Sequence, residues 1–177
     1  MFECSFDIAS IAWFEIADFA SSIVDAVEAA VLAGPAAIAV ALPGSLNYCF
    51  DAGICRVRYV WNGPFLDGTK NWKGSGKDLP ELGDIAWWSS AQALLRIGGG
   101  KTDEALYSKF LGYALNDGIP EFHFRIEKQE VYQTVKTSGN GLEMRFRLPK
   151  NKSKVTVLMD AGAVWKCPEA VDHKGVW

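Results

Sequence analysis

Asn47-Tyr48-Cys49-Phe50-Asp51-Ala52-Gly53-Ile54-Cys55 runs directly into Arg56-Val57-Arg58-Tyr59-Val60-Trp61-Asn62-Gly63-Pro64-Phe65-Leu66-Asp67. Two apolar runs, Leu46 to Phe50 and Arg56 to Trp61, flank Asp51-Ala52-Gly53, with a cysteine on each side of the turn. Aromatic and β-branched residues bounded by turn formers predict a hairpin. Behind it, residues 62–90 are rich in Gly, Pro and Trp and read as a long loop, of the kind that carries function or moves.

Upstream of the hairpin, Ala36 to Leu42 is an apolar strand closed by Pro43-Gly44. Downstream, Phe110 to Leu115, Glu121 to Ile126, Glu130 to Thr137, Leu142 to Leu148 and Val155 to Met159 are strand candidates. They are separated by Asn116-Asp117-Gly118, Glu127-Lys128, Ser138-Gly139-Asn140-Gly141 and the run from Pro149 to Lys152, all turn chemistry. Alternation assigns faces: Phe122, Phe124 and Ile126 oppose His123 and Arg125, while Leu142, Met144, Phe146 and Leu148 oppose Glu143, Arg145 and Arg147. That pattern predicts an antiparallel meander with one buried face. Residues 5–33 read instead as helical, with Ser22 and Asp25 as a cap and Gly34-Pro35 as the stop. The expected organisation is a helical extension over 1–33, a mainly β, antiparallel β-sandwich over 34–162 and a tail over 163–177.

The chain has 177 residues, 49% hydrophobic and 22% charged, enough for one ordinary core. A net charge of −3, from 18 basic and 21 acidic residues, gives no drive toward nucleic acid or anionic lipid. Glu3 and Asp7 stand where a signal peptide would be basic, so no export signal is readable. The apolar stretch from Ile8 to Ala20 is too short for a membrane span and is interrupted by Glu15 and Asp18. Cysteines 4, 49, 55 and 167 match neither a zinc ribbon nor a haem-attachment motif, and no cofactor is expected in this chain. Cys49 and Cys55 are compatible with a bridge across the hairpin or with two small apolar residues in a strand pair.

Three groups of residues carry potential chemistry. Tyr59, Trp61, Trp72, Trp87 and Trp88 can stack on sugar rings, with Asp67, Asn62 and Asn71 supplying hydroxyl partners, or can simply fill the core. Trp61 is expected in the core; Trp72, Trp87 and Trp88, with Asp67 and Asn71, form the candidate ligand groove. His123 and Arg125, joined by Arg145 and Arg147 if their faces coincide, make a basic patch with Glu143 and Glu121 inside it, in which a histidine near carboxylates can do acid–base work on a sugar. The bland alternative is a solvated sheet face.

Gly98-Gly99-Gly100-Lys101-Thr102, with a distant apolar strand ending at Asp160, has the flavour of a phosphate-binding loop. Leu95 occupies the position of the first glycine that motif needs, and no strand–helix alternation surrounds it. No glycine elbow accompanies Ser89 or Ser90, so no serine nucleophile is argued.

Gly34 to Gly53, then Arg58 to Asp67, Leu95 to Gly98, and Phe110 to Leu115 followed by Gly118 to Arg125, resemble a β-domain of large secreted planctomycete and verrucomicrobial proteins. Those proteins often join this domain to a c-type cytochrome module. The resemblance spans about residues 34–160. It implies a β-sandwich, of the large type seen in sugar mutarotases, in a periplasmic or extracellular redox or sugar-processing system. It carries no catalytic residues over, and residues 1–33 do not resemble the segment that precedes the domain. The leading expectation is a non-catalytic carbohydrate-binding or assembly module, with carbohydrate and a cytochrome c domain as partners. A mutarotase-type enzyme using His123 is the alternative, and a nucleotide-binding protein using Lys101 and Thr102 the second.

Overall fold

Leu46–Asp51 and Arg56–Asn62 do form an antiparallel hairpin, with Tyr48 opposite Val60 and Cys49 opposite Tyr59. The computed structural model describes residues 2–6, 11–15, 36–66, 82–89, 94–98, 107–139, 141–151, 153–159 and 164–166. Within them the elements are all strands: β1 (Phe2–Phe6), β2 (Ile11–Glu15), β3 (Ala37–Ala41), β4 (Leu46–Asp51), β5 (Arg56–Asn62), β6 (Asp84–Trp88), β7 (Leu95–Ile97), β8 (Ser108–Asn116), β9 (Ile119–Ile126), β10 (Gln129–Ser138), β11 (Gly141–Arg147), β12 (Val155–Met159) and β13 (Val164–Lys166).

They form three antiparallel sheets. The largest has the order β13-β2-β11-β10-β9-β8; a four-stranded sheet runs β3-β4-β5-β6, and a three-stranded one β1-β12-β7. Strands β8 to β11 are the meander that alternation predicted, and its turns supply the backbone needed. Asp117 and Gly118 take φ of 53° and 79°, the left-handed pair of a tight two-residue hairpin turn.

One continuous core joins the sheets. Phe122, Phe124, Ile126, Leu142, Met144, Phe146 and Leu148 point inward from the large sheet, as the alternation requires. They meet Tyr48, Phe50, Val57, Val60 and Trp87 of the four-stranded sheet and Leu95, Val155 and Val157 of the three-stranded one. Phe50 stacks on Phe122 at 3.9 Å between centroids and 3° between planes, and Tyr48 meets Phe122 edge-on at 81°. Such ring pairs add to the apolar burial that holds two sheets face to face.

The structure corrects three expectations and decides between the two alternatives for the cysteines. Residues 5–6 and 11–15 are strand rather than helix; β2 lies between β11 and β13 in the large sheet. Ile11-Ala12-Trp13-Phe14 is a short aromatic and branched run beside an open strand edge, where ladder bonds outweigh helix propensity. The remainder of the expected helix, from residue 16, lies outside the described residues. Residues 62–90 include β6, which pairs with β5, so the stretch is not loop throughout. The tail beyond 162 contributes β13. Cys49 and Cys55 are free thiols, with Cys49 packed against Tyr59, Trp61 and Ile85 while Cys55 joins the main core. A bridge needs both side chains on one side of the sheet, and these two belong to separate clusters.

Candidate functional site

Of the described residues singled out for binding, Trp88 stands on one sheet surface, His123 and Arg125 belong to another sheet and Trp87 is in the core. Adjacent residues on a strand point to opposite faces, and that rule separates the paired tryptophans. Trp87 is opposite Val60 and enters the main core; Trp88 is opposite Tyr59 and stands on the outer face of the four-stranded sheet, 52% exposed. Trp87 and Trp88 therefore do not line one groove. Trp61 is buried on the same outer side, as expected of a core ring, in a small cluster with Cys49, Tyr59 and Ile85. Asp67, Asn71 and Trp72 lie outside the described residues.

This outer surface is a firm aromatic floor with an exposed rim. Tyr59 and Trp61 are 5.8 Å apart, and Phe65 stacks over Trp61 at 6.3 Å while remaining about half exposed. The Trp61 indole N–H donates to the Pro64 carbonyl at 3.2 Å, and the Asn47 amide donates to that of Gly63 at 3.1 Å, tying the chain beyond β5 down to the sheet. Gly83 is needed where that chain returns, because a Cβ there would overlap the Asn62 carbonyl. Around the β4–β5 turn and the end of β6, largely buried polar groups tie the strands together. Arg56 donates to the Ser89 hydroxyl, the Ser89 N–H donates to the Arg58 carbonyl at 2.7 Å, and Arg58 lies 3.9 Å from the Asp51 carboxylate. Asp51 also accepts the Gly53 N–H at 2.8 Å, which closes the hairpin turn.

Burial pushes the Cys49 thiol up to about 11, against which a hydrogen bond with Tyr59 works. Burial likewise holds the Tyr59 hydroxyl well above its ordinary range. Both groups are therefore neutral at physiological pH, and neither is an activated nucleophile. Phe65, Arg58 and Ser89 were not singled out by sequence. The only signal for them was position, since their grouping depends on the β5–β6 pairing.

The second surface is the outer face of the large sheet. His123 and Arg147 each sit opposite Tyr132, from β9 and β11, so the two predicted polar faces do coincide. His123 stacks on Tyr132 at 4.3 Å with 6° between planes, and the Arg147 guanidinium lies 3.8 Å from the centre of the same ring. Arg147 pairs with Glu121 at 2.8 Å, Arg145 with Glu143 at 2.7 Å, and His123 lies 3.6 Å from the Glu130 carboxylate. Arg125 is opposite Glu130 in the ladder. The surface is a charge-balanced array centred on Tyr132, not a basic patch. The His123 Nε2 has no exposed surface and no hydrogen-bond partner. Acid–base work through this nitrogen would need it to reach a substrate proton, and here the atom is enclosed, although the ring as a whole is 29% exposed.

The glycine-rich loop also lacks the setting a phosphate site needs. β7 pairs antiparallel with β12, Ile97 opposite Val155 and Leu95 opposite Val157. Met159, just before Asp160, therefore lies at the end of the pair away from Gly98. A phosphate-binding loop requires its glycines and the metal-holding carboxylate at the same ends of parallel strands. Lys101 and Thr102 lie outside the described residues. Among the described residues no three His, Cys, Asp or Glu side chains are grouped to hold a metal ion, and no helix is long and apolar enough to cross a membrane. No protein-family model, curated protein or solved structure matches the chain.

Proposed function

We propose that this protein is a non-catalytic carbohydrate-binding module whose contact surface is the outer face of the four-stranded sheet, centred on Trp88. One observation carries the reading: Trp88 is an indole about half exposed on a strand, beside buried Tyr59 of the neighbouring strand. A ring held on a strand presents its face to sugar C–H groups with little entropy to lose on binding. A place in an exported, cytochrome-linked system rests on the resemblance of residues 34–160 alone.

The test is a tryptophan-fluorescence titration with a panel of soluble polysaccharides and simple sugars, for the wild type and Trp88→Ala. A saturable shift is expected with at least one glycan, weakened roughly tenfold in the variant, about 1.4 kcal/mol. Silence toward the whole panel, or binding indifferent to Trp88→Ala, sinks the reading. The mutarotase alternative would have to use the other ring nitrogen of His123, because Nε2 is enclosed.

A further inference from the structure

Four of the seven large hydrophobic side chains exposed on the described surface belong to β8 or the residue before it: Tyr107, Leu111, Tyr113 and Leu115, from 40% to 66% exposed. β8 is the terminal strand of the large sheet, and among the described residues nothing pairs with its outer edge. Its apolar side chains are not random surface residues. Tyr113 is opposite Phe122 and Leu115 opposite Pro120, both buried, so these two continue the core-facing side of the sheet past the end of its cover. A long apolar edge strand is an open template for another strand, and proteins ordinarily blunt such edges with charge. Between Phe110 and Asn116 this one carries none.

We propose that the β8 edge pairs antiparallel with β8 of a second copy of this chain, about a two-fold axis near Ala114, fusing the two large sheets into one. The strand is self-complementary in that sense. An axis at Ala114 sets Tyr113 of each copy opposite Leu115 of the other on the core-facing side, covering the rings and branches that the single chain leaves bare. It opposes no like charges, because Gly112 to Asn116 are uncharged. The strand ends are of opposite sign: Lys109 at one and Asp117 just beyond the other, so an antiparallel copy brings the Lys109 end of each strand beside the Asp117 end of its mate. Among the described residues neither has an ion-pair partner, and Lys109 faces Arg125 across the ladder, a like-charge pair that an incoming carboxylate relieves. The β-bulge at Leu111 and the positive φ of Gly112 interrupt the edge before its last four residues and leave the pairing from Tyr113 onward in register.

Sedimentation of the full chain over a concentration series, with circular dichroism as a check on folding, decides the matter. The wild type should show a monomer–dimer equilibrium and Leu115→Lys only monomer. Lys109→Glu should shift the equilibrium toward monomer although it removes a like-charge pair within the chain, and Lys109→Glu with Asp117→Lys should restore the dimer. A wild type that stays monomeric at every concentration overturns the proposal. So does a dimer unchanged by Leu115→Lys, or one that the double charge exchange fails to restore.

Discussion

At the scale of single residues, one ring stack and two thiols give the sharpest expectations. Phe50 and Phe122 lie face to face across the two sheets, both wholly buried. Truncating Phe122 to Ala opens a cavity where Tyr48, Phe110 and Tyr113 also converge, and the cost should be about 3–5 kcal/mol in urea unfolding. On the outer face the same sheet is forgiving. Tyr132→Ala removes the support for His123 and Arg147 yet should cost only about 1 kcal/mol, because the stack is half solvated. Cys49 and Cys55 are both raised by burial from 9.0 to about 11. Above pH 9 the unfolded chain releases these protons and the native one retains them. Stability should therefore be level below pH 9 and fall steadily toward pH 11, a loss that Tyr48 and Tyr59, raised in the same direction, extend further. Urea midpoints measured from pH 7 to 11 check the sign; a rise over that range would contradict it. Neither thiol should react with a disulfide reagent at pH 8 until the protein unfolds.

Elements explain why some of this could be read in advance. In β9 and β11 the alternation of apolar and polar residues is unbroken, so Phe122 and His123 could be placed on opposite faces from spacing alone. β6 hid within a glycine- and tryptophan-rich stretch, since five residues between turn formers give too little pattern to outweigh their surroundings. Once β6 pairs with β5, Trp87 and Trp88 separate, and a groove imagined from their adjacency becomes one core ring and one surface ring. Gly83 is the hinge of that pairing. Gly83→Ala forces a methyl against the Asn62 carbonyl and should destabilise by about 1–3 kcal/mol, with weakened glycan binding as the strand carrying Trp88 shifts. Equal stability and binding in that variant would show that β5 and β6 can separate without consequence.

For the whole molecule, the N-terminal strands are part of the fold rather than an appendage to it. β1 borders β12, and β2 fills the place between β11 and β13. A chain beginning at Gly34, the boundary that composition alone recommends, would leave β11 and β12 with open edges. Such a truncation should lose the cooperative thermal transition or aggregate, whereas a chain that folds as before would return residues 1–33 to the status of an extension.

The amino-acid sequence by itself determined what is local. Period-two alternation, turn residues with left-handed backbone and the lack of charge in the apolar runs specify antiparallel strands and the inward side of each, because those signals act between neighbours in the chain. Only the tertiary structure decided which strands lie side by side, and with that whether β2 joins a sheet, whether Cys49 meets Cys55, which face of His123 is enclosed and which of Trp87 and Trp88 reaches solvent. Those outcomes depend on contacts between residues far apart in the chain, whose energies become available only when the sheets close on one another.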